Sequence, residues 1–198
     1  MKTAAIILNG VSLDREIEGH LIICADAGYN LLKGKKPDVI VGDFDSLSSV
    51  PSGLKVIRHN IEKNQTDGEI CVEYAVNQGC DSINIYGALG GRMDHVLGNL
   101  GLLKLCYLLN VPAAARERGL DIYYFEKDFS LDVKKGETIS IVPFAGDALI
   151  KQSKGLYYPL NDLLLKPHRT RGISNIAVDG SVKLEIAYGG VFVFHYFS

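Results

Sequence analysis

Short apolar runs alternate with helical patterns in the first half of the chain. The runs are rich in β-branched residues and lie at 5–8, 21–24, 39–41, 55–57 and 82–86. Two stretches between them have the apolar spacing of amphipathic helices, 66–78 and 92–110. Strands that alternate with helices are typical of a parallel sheet covered on both faces. The first half is therefore predicted to be a Rossmann-like α/β domain.

The pattern changes after about residue 120 of the chain. Short apolar runs at 122–125, 138–142, 182–186 and 191–194 are separated by Gly, Asp and Pro. Such runs favour an antiparallel β-sandwich. The polar stretch 113–119 ends in a glycine and is interpreted as the connection. The predicted domains are thus 1–120, an α/β domain, and 121–198, a β-sandwich.

Composition excludes some classes of partner. The net charge of −2 provides no basic field, so neither duplex nucleic acid nor an anionic membrane is expected as a partner. No apolar run has the length of a membrane span or a signal peptide, so a cytoplasmic protein is expected. The four cysteines lack a Cys-x-x-Cys spacing and are expected to be reduced. The basic residues His168, Arg169 and Arg171 are interpreted as exposed surface, rather than as a phosphate contact across a subunit interface.

Two aspartates follow the predicted strand 39–41 directly. In open α/β sheets, ligands bind at the carboxyl ends of the strands, which is where Asp43 and Asp45 lie in the sequence. Mg²⁺ is commonly held by one or two carboxylates together with water and phosphate oxygens. The pair therefore indicates a magnesium site, and the alternative is a turn or a helix cap.

Three further segments follow strand ends and carry polar side chains. Asp26 follows the second run, and the pair Thr66 and Asp67 begins a predicted helix, where capping is the alternative role. The glycine loop 87–91 runs into Arg92 and Asp94 at the start of the second helix. A helix N-terminus after a glycine loop favours a phosphate, and arginine adds a planar fork for its oxygens. No Walker A sequence is present, so another arrangement must hold a nucleotide.

The motifs, taken in this order, closely resemble those of the thiamin pyrophosphokinase family. They are Asp26-Ala27-Gly28, Gly42-Asp43-Phe44-Asp45-Ser46, Thr66-Asp67 and Gly90-Gly91-Arg92-Met93-Asp94-His95 with Asn99, and in the second half 155–160 and 172–175. The resemblance implies transfer of pyrophosphate from ATP to thiamin with Mg²⁺, releasing AMP. It also implies a homodimer with active sites between the catalytic domain of one subunit and the thiamin-binding β domain of the other.

The resemblance also implies a role for each matching residue. The metal-organising carboxylates are Asp43, Asp45 and Asp67, with Asp26 nearby, and all but Asp26 are expected to be catalytic together with Arg92 and Asp94. The nucleotide or diphosphate contacts are Asp26, Thr66, Arg92, Asp94 and Asn99. The thiamin contacts are Ser174 and Asn175. Either Asp67 or Asp94 is expected to accept the thiamin hydroxyl proton, and the sequence does not choose between them.

Two alternatives stay open at the level of the sequence. The run 39–46 superficially matches a haloacid-dehalogenase phosphatase, in which Asp43 would be the nucleophile, although the downstream lysine and acidic pair have no convincing counterpart. The other alternative is a binding module for thiamin or nucleotide that does not turn over. Asp43→Asn and Asp45→Asn are expected to abolish Mg²⁺-dependent turnover with the fold intact. Release of AMP rather than inorganic phosphate separates the kinase from the phosphatase, and binding of ATP and thiamin without AMP would favour the binding module.

Overall fold

The chain forms two compact units in a computed structural model that describes residues 1–42, 53–58 and 64–198. The first unit spans Met1–Arg118 and the second Gly119–Ser198. The first is built on parallel strands with helices, and the second has antiparallel strands. The mixed α/β class predicted from the sequence is confirmed.

In the described part of the first unit, six parallel strands form the sheet. In chain order they are β1 (Thr3–Ile7), β2 (Leu21–Ala25), β3 (Val39–Gly42), β4 (Lys55–Arg58), β5 (Ser82–Tyr86) and β6 (Ala113–Glu117). Their spatial order is β6-β5-β1-β2-β3-β4. Strands β1 and β3 are buried along almost their whole length, which explains why they are continuous apolar runs rather than alternating ones. The carboxyl ends of all six strands consequently lie at one edge of the sheet.

Among the residues that the structure describes, two α helices and one 3₁₀ helix lie between these strands. The 3₁₀ helix Asp26–Leu32 follows β2, α1 (Asp67–Asn77) precedes β5, and α2 (Met93–Leu108) precedes β6. Helix α1 buries Cys71, Val72 and Ala75, which recur at the spacing of one helix face. Helix α2 follows β5 through the glycine loop, so its N-terminus begins at the carboxyl edge. Gly68, in the first turn of α1, lies beside Leu8, directly after β1, and so at the same edge.

The structure corrects two details of the sequence prediction. The stretch 113–119 was interpreted as a polar connection, but Ala113–Glu117 is strand β6, paired in parallel with β5. Burial of Ala114 and Ala115 against the sheet outweighs the low strand propensity of alanine. The apolar spacing of 92–110 also predicts that Leu97 lies on the buried face together with Leu100 and Leu103, but Leu97 is 60% exposed, whereas the other two are buried.

The second unit contains six antiparallel strands. They are β7 (Leu120–Phe125), β8 (Phe129–Asp132), β9 (Thr138–Lys154), β10 (Leu163–Leu165), β11 (Asn175–Ile176) and β12 (Ser181–Tyr196). The sequence predicted two short strands within 181–196, whereas the structure has one strand of 16 residues with register shifts between Glu185 and Gly190. Strand β9 is likewise longer than the predicted run 138–142. One apolar cluster forms the core of this unit.

The remaining expectations concern cysteines and membranes. Cys24, Cys71, Cys80 and Cys106 are all buried and unpaired, and burial raises the pKa of Cys24 and of Cys106 to about 12. Such thiols are protonated at neutral pH and behave as small apolar side chains. Within 1–42, 53–58 and 64–198, no helix is both long enough and apolar enough to cross a membrane.

Candidate active site

Three of the predicted segments pack around the carboxyl end of β1. A Cβ atom added to Gly28 would lie 2.3 Å from the carbonyl oxygen of Ile7, and one added to Gly87 would lie 2.7 Å from that of Leu8. One added to Gly68 would contact the side chain of Leu8 at 3.6 Å. The absence of a side chain at 28 and 87 therefore lets the backbones approach β1 closely. The functional candidates on these three segments are Asp26, Thr66, Asp67, Arg92 and Asp94.

Asp26 lies beside the end of β3. Its backbone is in the left-handed region, at φ +41°, a conformation that aspartate tolerates better than most residues. A Cβ atom added to Gly42 would lie 3.1 Å from the Asp26 Cβ atom and 3.4 Å from its Oδ1 atom. Gly42 is the residue before Asp43, so the Asp26 carboxylate adjoins the point where the chain enters the Asp43 and Asp45 segment. Asp43 and Asp45 themselves lie outside the described residues.

The Asp26 carboxylate is chemically suited to a cation. Its Oδ1 atom is buried and has no hydrogen-bond partner among the residues that the structure describes. A buried carboxylate oxygen without a donor is costly unless a cation or water satisfies it. Over those same residues, no group of three His, Cys, Asp or Glu side chains has the arrangement of a metal site. A magnesium site at this edge would therefore need Asp43 or Asp45 in addition to Asp26.

Thr66 has the capping role that the sequence left open. Its Oγ1 atom accepts the Glu69 backbone N–H at 3.3 Å, and its own N–H donates to Glu69 Oε2 at 2.7 Å. This reciprocal capping box fixes the first turn of α1 and typically contributes about 1 kcal/mol to helix stability. Asp67 is the first residue of α1 and is half-buried. The cap thus fixes the backbone of the helix start at Asp67, and the next residue, Gly68, packs beside Leu8 at the end of β1.

Two side chains, those of Glu117 and Asn99, hold the backbone of the glycine loop at Ala88. Glu117 Oε1 accepts the backbone N–H groups of Ala88 and Leu89 at 2.9 and 3.2 Å. The Asn99 Nδ2 atom donates to the Ala88 carbonyl oxygen at 3.0 Å. Two of the loop N–H groups are therefore engaged by a carboxylate. Asn99, which was expected to contact nucleotide, positions the loop from α2.

Arg92 and Asp94 form a bidentate pair at the start of α2. The Arg92 Nε atom donates to Asp94 Oδ1 at 3.1 Å, and its Nη2 atom donates to Asp94 Oδ2. Both side chains are mostly exposed. The hydrogen bond from Arg92, together with the one from the His95 N–H, lowers the pKa of Asp94 to about 2. Asp94 takes two of the five guanidinium N–H donors, and no other described residue engages the rest, which suit phosphate oxygens.

Glu117, the last residue of β6, was not among the site residues predicted from the sequence. It was missed because 113–119 was interpreted as a connection, so no strand-end carboxylate was sought there. Burial raises the pKa of Glu117, partly offset by the loop N–H groups and by Arg15. The signal was available, since Glu117 follows a small-residue run in the same way that Asp26 follows β2.

Substitutions of Glu117 can separate its role as a hydrogen-bond acceptor for the loop from the effect of its charge. Glu117→Ala leaves two N–H groups of the loop without their acceptor, so we expect the free energy of unfolding to fall by about 2 kcal/mol. We also expect KM for ATP to rise about tenfold, because the loop that carries Arg92 loosens. Glu117→Gln keeps an acceptor oxygen and should lie close to the parent protein. Urea denaturation and steady-state kinetics measure both effects.

The raised pKa adds a pH signature to this prediction. Because the folded state binds the Glu117 proton more tightly than the unfolded state, stability from this group is fully present below its ordinary pKa. It declines as the pH rises through the raised pKa. Glu117→Gln should therefore show a flatter dependence of unfolding free energy on pH over that window. Equal losses in the alanine and glutamine variants would contradict the acceptor role.

Ser174 and Asn175 lie in the second unit and differ in exposure. Ser174 is exposed, at φ +54°, and its N–H donates to Ser140 Oγ at 2.9 Å. Asn175 is only 2% exposed, and its amide bridges the backbone of Tyr158, accepting the N–H at 3.0 Å and donating to the carbonyl oxygen at 2.7 Å. Ser174 is thus accessible to a ligand, while Asn175 positions the exposed tyrosine pair Tyr157 and Tyr158.

The fold and the strand-end side chains define a class, an α/β protein with polar candidate site residues at the carboxyl edge of a parallel sheet, followed by an antiparallel β unit. Two family models match successive stretches of the chain. They are the thiamin pyrophosphokinase catalytic domain over residues 16–113 and the thiamin pyrophosphokinase vitamin B1 binding domain over residues 126–189. The chain belongs to the thiamin pyrophosphokinase family.

Individual relatives agree with this assignment. A thiamine pyrophosphokinase of Bacillus subtilis (strain 168) is 30% identical over 206 residues, which cover 96% of each chain. A crystal structure of thiamine pyrophosphokinase from Bacillus subtilis superposes with a TM-score of 0.86 at 26% identity and covers all of both chains. The thiamin pyrophosphokinase from Candida albicans shares the fold, with a TM-score of 0.81 at 18% identity over all of this chain and 86% of that one.

Proposed function

We propose that this chain is a thiamin diphosphokinase, which transfers the terminal pyrophosphoryl group of ATP to the hydroxyethyl oxygen of thiamin and releases AMP. The observation that carries the proposal is the match of both family domains, in order, along one chain. The relative that is 30% identical over 96% of the chain supports the same activity. The units Met1–Arg118 and Gly119–Ser198 are then the catalytic and the thiamin-binding domain.

Arg92 is the proposed stabiliser of charge on the transferred group. Phosphoryl-type transfer depends mainly on positioning and charge neutralisation, so a guanidinium with free N–H donors at the mouth of a glycine loop suits that role. Glu117 and Asn99 hold the loop on which Arg92 lies. Asp94 in turn orients the Arg92 fork. Thr66 is proposed to present its hydroxyl to the phosphates while it caps α1.

Asp67 is the proposed acceptor of the thiamin hydroxyl proton. A pKa of about 2 makes Asp94 a weak base, and its oxygens are already engaged by Arg92 and by the His95 N–H. Asp67 is the first residue of α1, directly after the Thr66 cap. The pH dependence of kcat in Asp67→Asn tests this division, since removal of the base should abolish the acidic limb. An unchanged limb would contradict the role.

Asp26, Asp43 and Asp45 are the proposed magnesium-organising carboxylates. The resemblance also implies Asp67 in this group, but a carboxylate that holds the cation would be as weak a base as Asp94, so Asp67 is assigned to the proton. Asp26 contributes a buried Oδ1 atom that lacks a described partner, beside the residue that leads into Asp43. When bound, Mg²⁺ would neutralise charge on the ATP oxygens. This group of carboxylates also gives the chain a way to bind ATP without a Walker A loop.

The thiamin-binding unit is proposed to be a β-sandwich. Residues 191–196 of β12 pair with β7 and with the first half of β9, residues 138–143. Residues 181–184 of β12 pair with β8, and 183–185 pair with the second half of β9, at 152–154. The register shifts of β12 lie between these halves, and residues from both halves enter one core cluster. Because the two halves of β12 pair with different strands and share one core, they are proposed to belong to two sheets that pack against each other. Ser174 and the Asn175-positioned tyrosines are the proposed thiamin contacts.

A homodimer is proposed as the active form, with each active site built from the catalytic domain of one subunit and the β domain of the other. The second unit exposes the apolar side chains of Tyr157, Tyr158, Ile173 and Ile176, each more than 40% accessible. Clusters of exposed apolar residues commonly mark interfaces or ligand sites. Sedimentation velocity at assay concentrations measures the mass, and a fully active monomer would contradict the proposal.

The activity is tested with ATP, Mg²⁺ and thiamin together. Purified protein should form thiamin diphosphate and AMP in equal amounts, and chelation of Mg²⁺ should stop both, with activity restored by added Mg²⁺. Chromatography of the nucleotides and of the thiamin products measures the reaction. Inorganic phosphate with a phosphorylated Asp43 would instead indicate the phosphatase alternative. Binding of both ligands without AMP would indicate a binding module.

A further inference from the structure

A second polar concavity lies in the C-terminal unit, in the segment between β10 and β11. Its volume is about 440 Å³, within the range of small-molecule sites. Four basic side chains line it, Lys166, His168, Arg169 and Arg171, together with the single carboxylate of Asp162. No role in the proposed reaction has been given to any of these residues.

The basic groups of this concavity are not neutralised by the fold. Asp162 Oδ1 lies 2.6 Å from Lys151 Nζ, so the carboxylate already has a cationic partner. Within the part of the chain that the structure describes, no hydrogen bond or ion pair engages the side chains of Lys166, His168, Arg169 or Arg171. Three permanent cations close together repel one another, and an anion with several charges removes that cost.

The segment that carries these residues is held at both ends. Leu165, at its start, is fully buried. At its end, the Gly172 carbonyl oxygen accepts the Ile141 N–H at 2.8 Å, and a Cβ atom added to Gly172 would lie 2.5 Å from the Ile141 carbonyl oxygen. Within the segment, the Arg169 N–H donates to the Lys166 carbonyl oxygen at 2.9 Å. A loop fixed in this way loses little conformational entropy when it binds a ligand.

We propose that Lys166, His168, Arg169 and Arg171 form a binding site for a linear oligophosphate. Two guanidinium forks match pairs of phosphate oxygens, and the lysine adds a third fixed charge. A single carboxylate ligand would engage only one fork. The patch comprises four side chains on a chain with net charge −2, which is too small a basic surface for duplex nucleic acid. His168, Arg169 and Arg171 are exposed, as the sequence predicted, and the proposal adds a ligand to that surface.

Calorimetric titration with inorganic tripolyphosphate, without Mg²⁺ and at fixed low salt, tests the site directly. All proteins carry Arg92→Gln, so that the proposed nucleotide site contributes least to the signal. In that background we expect measurable binding that becomes at least about tenfold weaker in Arg169→Gln/Arg171→Gln. The matched control is Lys154→Gln/Lys183→Gln, which removes the same charge from a cross-strand pair elsewhere on this unit.

Kinetics of the same double variants, with Arg92 restored, identify the source of the oligophosphate. A raised KM for ATP with little change in kcat means that the site holds the phosphate chain of the nucleotide substrate. An unchanged KM, with tripolyphosphate binding lost, means a separate site for a free oligophosphate. The proposal is overturned if the parent does not bind tripolyphosphate, if Arg169→Gln/Arg171→Gln binds it equally well, or if the lysine control loses as much affinity. These outcomes are independent of whether the chain forms AMP.

Discussion

Asp26→Asn is expected to lower turnover of ATP and thiamin about 100-fold, with the free energy of unfolding unchanged or up to about 1 kcal/mol higher. The Asp26 Oδ1 atom is buried without a described partner, which costs stability whenever no cation is bound. Asparagine keeps the shape of the side chain and tolerates the left-handed backbone at φ +41°. It lacks the charge that a divalent cation needs. We therefore expect Asp26→Asn to lose turnover without losing stability.

The measurements for this prediction are thermal or urea unfolding without Mg²⁺ and steady-state turnover with it. Asp43→Asn and Asp45→Asn are expected to abolish Mg²⁺-dependent turnover with the fold intact. The matched control is Asp38→Asn, at the opposite edge of the sheet, where Asp38 Oδ2 accepts the Ile22 N–H at 2.7 Å. That variant should stay active and lose about 1 kcal/mol of stability. Full turnover by Asp26→Asn would rule out a role for Asp26 at the metal.

Arg92→Gln is expected to lower kcat/KM for ATP about 100- to 1000-fold. The change removes the charge and the planar fork that Asp94 orients, while the exposed position of the side chain leaves the fold unaffected. Arg92→Lys should recover only part of the loss, because lysine restores the charge without the bidentate geometry. Arg118→Gln, at an exposed position of the same unit, is the matched control and should be fully active.

Asp94 supplies an internal check on the role of Arg92. Because its pKa is about 2, Asp94 is ionised throughout the neutral range and should contribute no limb to the pH profile of kcat/KM there. Asp94→Asn should weaken the orientation of Arg92 and reduce kcat/KM by less than Arg92→Gln does. A larger loss in Asp94→Asn than in Arg92→Gln would mean that Asp94 itself contacts the reacting groups.

The strands and helices of the first unit were largely predictable because their signals are local. Strand β5 was predicted with its observed bounds, and α1 begins directly after Thr66, at the start of the predicted stretch. Strand β6 was not predictable in the same way. Its Ala-rich sequence has low strand propensity, and it is a strand because its backbone pairs with β5 at the sheet edge. The merging of two predicted strands into β12 has a similar cause, since pairing with β9 continues across Gly189 and Gly190.

The amino-acid sequence by itself determined the family of this protein and the candidate residues of its site. The order of strand-end aspartates, a glycine loop and an arginine identifies the family, because these residue types must follow strands to meet at one sheet edge. Tertiary packing sets the division of labour among them. Glu117 and Asn99 hold the loop, Thr66 caps α1, and Asp26 is left with a buried unpartnered oxygen. Contacts such as that from Glu117 to Ala88 join residues far apart in sequence, so no local pattern encodes them.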